Sequence, residues 1–125
     1  MAQKKEPTQR QLRVNEAIRH IIAAQLMRGD VMVDERLRGQ SVTVTEVEVG
    51  PDMRHATAFV TPLGGGAVTK DVLDALNDAA PQFTHAVAKD LVMKYTPRIR
   101  FAYDERFDYA DKINVLLKNA DKTNN

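Results

Sequence analysis

Three histidines, one serine and no cysteine limit the catalytic chemistry this chain can carry. His20, His55 and His85 fall in three separate segments and lack the paired spacing of a HExxH-type metal site, so no metal or other cofactor is expected. With Ser41 the only serine, the usual nucleophile and base arrangements have almost no material. Carboxylates are more plentiful. Asp104, Glu105 and Asp108 could act as general acid and base, yet DERFDYADKI also reads as a turn entering a helix, where acids are favourable near the N-terminus. The run PLGGGAVTK lacks the Gly-Lys-Ser/Thr ending of a phosphate-cradling loop and reads as a crossover. In LNDAAPQFTHAV, the break at Ala79-Ala80-Pro81 would expose backbone N–H groups at the start of a helix, a place that favours a phosphate. Taken alone, Pro81 is equally a plain first-turn proline, and the plainer reading stands. The balance favours binding over catalysis.

The elements that must position these residues follow from periodicity. Val14, Ala17, Ile18, Ile21, Ile22 and Leu26 form one apolar stripe, which predicts a helix from about Gln9 to Met27 ended by Gly29-Asp30. SVTVTEVEV alternates as a strand, but Val42 and Val44 are out of phase with Val47 and Val49, so a bulge is expected near Thr45 or Glu46. GPDM turns the chain into HATAFVT, completing an antiparallel hairpin closed by Pro62. Thr69 should cap a helix carrying Val72, Leu76 and Ala80, and a second stripe of Phe83, Val87 and Leu91 should run to about Tyr95. Ile99, Phe101 and Tyr103 alternate with Arg98, Arg100 and Ala102 as a third strand. Tyr109, Ala110, Ile113, Leu116 and Leu117 suit a C-terminal helix. The order implies an α+β domain with a three-stranded sheet and helices over one face. Residues 1–8 are expected to be a flexible segment, 9–118 the domain and 119–125 a disordered tail.

A chain of 125 residues with 43% hydrophobic and 28% charged content suits one globular domain. It has no apolar run of membrane-spanning length and no secretory signal, so a cytoplasmic protein is expected. The net charge of +1 conceals an uneven distribution. Lys4, Lys5, Arg10, Arg13, Arg19 and Arg28 face only Glu6 and Glu16 in the first segment, whereas acids outnumber Arg54, Lys70 and Lys89 in the middle. One basic pole suits a polyanionic partner, and it also suits a solvated surface.

RVNEAIRHIIA, the VTVTEVEVGPDMRHATAFVT hairpin, ALNDAAPQFTHAVAKDL and the exit KYTPRIRFAYDE occur in an order, and with short gaps, that resembles the ribosome-binding factor A family over about Arg10 to Leu117. The resemblance implies a type II KH-like fold, α-β-β-α(kink)α-β, with the C-terminal helix added. It implies a kink at an Ala-x-Gly motif, which here reads Ala79-Ala80-Pro81, proline replacing glycine. It further implies a non-catalytic factor that binds the immature small (30S) ribosomal subunit and 16S rRNA rather than the full ribosome. Such a factor supports 16S rRNA 5′-end processing, leaves on maturation and serves cold adaptation; a monomer without membrane attachment is expected. Arg10, Arg13, Lys89, Lys94, Arg98 and Arg100 are the expected electrostatic contacts around the kink and basic pole. Base stacking is expected to be minor, because Phe83 and Phe101 lie at core-phase positions. The alternatives are a general single-stranded RNA-binding KH-like module and, further off, a small α+β enzyme using Asp104.

Overall fold

A computed structural model describes residues 6–28, 34–37, 41–63 and 68–104. The expected stop at Gly29-Asp30, the triple-glycine crossover, Glu105, Asp108, the C-terminal helix and the tail lie outside the described residues, as does most of the N-terminal segment.

Helix α1 spans Gln9–Arg28 and buries Ile18 and Ile22 completely, as its stripe requires. Its start is a reciprocal cap: the Thr8 hydroxyl accepts from the Gln11 N–H at 3.1 Å, while the Gln11 side chain accepts from the Thr8 N–H at 2.8 Å. A 3-10 turn at Glu35–Leu37, not foreseen from the sequence, inserts Leu37 into the core. Strands β1 (Val42–Val49) and β2 (His55–Pro62) pair antiparallel, with the register shift between Val44 and Glu46 that the phase change demanded. All four valines, 42, 44, 47 and 49, thereby face the core. Pro62 does not merely end β2, since it still pairs opposite Val42.

The bulge is held by side chains. The Thr45 hydroxyl donates to the Asp104 carboxylate at 2.6 Å and lies 3.2 Å from the Phe59 carbonyl oxygen. Asp104, at the end of the third strand, is buried, so the acid considered for catalysis instead serves to tie that strand's exit to β1.

Helix α2 (Lys70–Asp78) begins at Thr69, whose hydroxyl accepts from the Val72 N–H at 3.3 Å. Ala79 is both its last cap and the first cap of α3 (Ala80–Asp90), with Pro81 in the first turn of α3. Helix α3 stops at Asp90, five residues before the expected end near Tyr95, and Leu91 is extended at φ −126°, ψ 116°. The reason is topological. β3 (Arg98–Tyr103) runs parallel to β2 with Arg98 opposite His55, and the non-helical link 91–97 returns the chain to that starting point. The sheet order is β1-β2-β3.

Buried Ala56 and Ala58 keep the central strand low beneath the helices, and Phe83 meets Phe101 edge-on at 4.9 Å. β3 is an edge strand, and the two helices beside it supply hydrogen bonds that a further strand would have made. The Asn77 amide accepts from the Phe101 N–H at 2.9 Å and donates to the Phe101 carbonyl at 3.1 Å. The Thr84 hydroxyl accepts from the Ile99 N–H at 3.1 Å. One residue precedes the kink and the other follows it, so β3 fixes the angle between α2 and α3.

Arg36 clasps the 3-10 turn to α2, reaching Asp34 at 2.7 Å and Asp78 at 2.8 Å. Its guanidinium, followed by its backbone N–H, holds the Asp34 carboxyl down at about 2 from an ordinary 3.8. A carboxyl lowered by folding adds stability that is complete above its unfolded value and lost as pH falls through its folded one. The small melting difference between wild type and Arg36→Gln should therefore be constant at neutral pH and vanish between about pH 4 and pH 2. Thermal melts across that range test it; a difference persisting unchanged at pH 2 would contradict the assignment.

Candidate nucleic-acid interface

The arginines divide into two groups. Arg19 pairs with Glu16, and Arg36 with Asp34 and Asp78. Among the described residues, Arg10, Arg13, Arg28, Arg54, Lys89, Lys94, Arg98 and Arg100 form no ion pair, and all are exposed, Arg28 lying at the opposite end of α1 from Arg10. Most of these uncompensated cations gather at one end of the fold. That end is built where α1 starts, the β1–β2 turn reverses, α3 finishes and β3 begins.

Local hydrogen bonding explains the convergence. Gln11 donates to the Gly50 carbonyl at 3.3 Å and Asn15 accepts from the Val49 N–H at 2.8 Å, seating the first turns of α1 against the hairpin. This places Arg10 in a recess of about 250 Å³ with Pro51, Asp52, Met53, Met93, Lys94 and Tyr95. Arg13 lies one helical turn further on, on the same face. The Arg98 N–H donates to the Arg54 carbonyl at 2.9 Å, fixing these two arginines side by side. They line a second recess, of about 380 Å³, with His55, Tyr95 and Thr96. Lys89 sits in the last turn of α3, where a cation is favoured by the helix dipole, and Arg100 follows Arg98 on the strand face away from the core.

The kink stands apart. From Pro81 to Asp90 the helix rises about 14 Å, so Ala79, Ala80 and Pro81 lie at the far end of α3 from the cations. Pro81 is exposed, Ala79 half-buried, and Ala80 packs in the core. No side chain caps the start of α3, and the Gln82 N–H is already taken by the Ala79 carbonyl at 2.9 Å.

Sequence reasoning missed Arg54 and Tyr95. The Arg54 guanidinium lies 5.0 Å and the Lys94 ammonium 5.5 Å from the centre of the Tyr95 ring. Arg54 was hidden in an acidic stretch of sequence, and Tyr95 in an expected helix. The PDM sequence after Gly50, which turns the hairpin, was the available signal for Arg54's position.

A larger recess of about 530 Å³ between α1 and the sheet is lined by Leu12, Glu46, Glu48, His55 and Thr57, and its carboxylates have the wrong sign for a polyanion. The histidines lie apart, His20 beside Glu16 at 3.2 Å, His55 at the start of β2 and His85 on α3. No described helix is long and apolar enough to cross a membrane.

The element order, the mixed three-stranded sheet and the kinked helix pair define a KH-like α+β domain, here with one strongly cationic end. The family model for ribosome-binding factor A matches residues 10–117, and the chain belongs to that family. A curated ribosome-binding factor A from Paracoccus denitrificans is 47% identical over 111 residues, covering 89% of this chain and 79% of the relative. The crystal structure of ribosome-binding factor A from Thermus thermophilus superposes with a TM-score of 0.60 at 20% identity, over 74% of this chain and 94% of that one. A homology model of the Thermus thermophilus factor, as fitted into the cryo-EM map of its complex with the 30S subunit, gives 0.50 at 18% identity, over 69% and 90%. These relatives are named for ribosome binding and not for a catalysed reaction, in keeping with a non-enzymatic chain.

Proposed function

We propose that this protein is an assembly factor of the small ribosomal subunit, binding the immature 30S particle through 16S rRNA and acting before the subunit joins a full ribosome. The observation that carries this reading is the gathering of Arg10, Arg54, Lys94 and Arg98 at one end of a KH-like domain with no ion pair among the described residues. Family membership and the 30S complex of the Thermus relative support the choice of partner. Arg10, Arg13, Lys89, Lys94, Arg98 and Arg100 contact phosphates, which supply salt-dependent affinity, while the kink at Ala79, Ala80 and Pro81 contributes shape. The factor works as a cytoplasmic monomer built on residues 9–118, favours one conformation of the maturing rRNA, supports 5′-end processing and dissociates when that conformation is lost. This holds it to conditions, such as cold, in which rRNA folding is slow.

Co-sedimentation with small subunits tests the proposal. Retention by immature small subunits should exceed retention by unrelated RNA of equal mass; equal or stronger retention by the unrelated RNA would make this a general RNA-binding module instead.

Pro81→Gly separates the kink's shape from its chemistry. Freeing the backbone there should cost about 1 kcal/mol of stability through the unfolded state. Subunit binding should stay within about threefold, because phosphate contacts dominate and the cationic end lies a helix length away. A larger change in binding with a normal melt would place an RNA contact at the kink itself.

A further inference from the structure

We propose that Tyr95, with Arg54, Lys94 and Arg98, forms a site for one unpaired RNA nucleotide, its base stacked on the exposed aromatic surface and its phosphate held by the cations. This rests on the RNA-binding reading above and adds a specific recognition element to it. Tyr95 is 54% exposed, so the ring is not consumed by the core. Two cations nevertheless converge on it, at 5.0 and 5.5 Å. A cation–π contact does not occupy the N–H donors, so Arg54 and Lys94 are oriented by the ring yet keep their capacity for a phosphate. Recesses of about 380 and 250 Å³ both have Tyr95 in their walls, and they carry Arg98 and Arg10 respectively.

The backbone beneath the site is strained. Met53 has φ +58°, a left-handed conformation that L-residues other than Asn and Asp seldom adopt, and it immediately precedes Arg54. Its half-buried side chain packs against the core, and its N–H donates to the Gly50 carbonyl at 2.9 Å. Asp52, the one acid in the turn, accepts from the Arg54 backbone N–H at 3.1 Å, and its carboxylate pairs with no cation among the described residues. Strain of this kind persists where the surrounding structure enforces it, and here it sets the direction of the arginine that lies on Tyr95. An acidic protein segment would use the charges but not the ring. A nucleotide uses both, since bases stack on tyrosine and on guanidinium planes alike.

Fluorescence anisotropy with a short, unstructured, labelled oligouridylate and the full chain tests the site. Tyr95→Leu should weaken binding by about tenfold, within the range for loss of one stacked base, and Tyr95→Phe should stay within about twofold because the ring face remains. Arg54→Gln should weaken binding and lower the salt slope by about 0.7. The chain has no tryptophan, so Tyr95→Trp supplies a unique reporter whose emission should fall when the oligonucleotide binds. Thermal melts confirm that each variant is folded. Wild-type affinity in folded Tyr95→Leu, or unquenched Tyr95→Trp with RNA bound, overturns the site. If Tyr95→Leu abolishes subunit binding while wild type binds no oligonucleotide, the partner is a protein and the site is again overturned. Retention of wild type by small subunits, measured separately, distinguishes failure of this site from failure of the assembly-factor reading.

Discussion

Neutralising three cations at the basic end, Arg10→Gln, Lys94→Gln and Arg98→Gln together, is expected to weaken small-subunit association by about 100-fold at 0.1 M salt. The figure follows from counterion release: each contact to single-stranded nucleic acid contributes a slope of about 0.7 in log affinity against log salt, or about fivefold per contact at that concentration. The slope itself should fall by about 2. Stability should change little, because none of the three side chains forms an ion pair among the described residues and all three are exposed. Association measured by sedimentation over a salt series, with a thermal melt of the same variant, checks both parts. An unchanged slope would remove these residues from the interface, whatever happened to the affinity.

The largest expected loss of stability comes from a residue without charge. Asn77→Ala removes the amide that accepts from the Phe101 N–H at 2.9 Å and donates to its carbonyl at 3.1 Å. Both backbone groups lie on the outer edge of β3, and leaving partly buried polar groups unpaired costs about 1–3 kcal/mol each. A destabilisation of about 2–4 kcal/mol in denaturant titration is expected, with faster hydrogen exchange at the Phe101 amide. Thr84→Val, which removes one such bond to Ile99, should cost less. If Asn77→Ala costs below about 1 kcal/mol, the helix pair does not cover the strand edge as described. Because Asn77 and Thr84 flank Pro81, the same variants would loosen the kink angle and separate fold from binding further than a proline substitution can.

Much of this architecture was legible because it is periodic. The stripe ending at Leu26 placed α1 within a residue or so, and the phase change between Val44 and Val47 located the bulge before any pairing was known. Thr69 at its cap and Phe83 against Phe101 in the core follow from chemistry that acts over a few residues or along one face. What the chain does not encode locally is which strand β3 joins and in which direction. The parallel register that sets Arg98 opposite His55 ends α3 at Asp90, where apolar spacing alone continued it to Tyr95. That single difference moves Tyr95 from a supposed helix into an exposed link beside Arg54, a residue 41 positions earlier in the chain. The candidate site was legible in the same partial way. Arg10, Lys94 and Arg98 do come to one end, but the kink lies at the other end of α3, a separation that only the crossover geometry reveals.

Site-specific photo-crosslinking bears most directly on the claim that the cationic end meets rRNA. With a photo-reactive side chain in place of Lys94 or, in a second protein, of Arg36 on the distal clasp, each variant is bound to immature small subunits and the crosslinked partner is sequenced. The account predicts crosslinks to 16S rRNA from position 94, clustered at one locus, and fewer from position 36, which lies beside the kink through Asp78. Crosslinks to rRNA from position 36 with none from position 94 would contradict it.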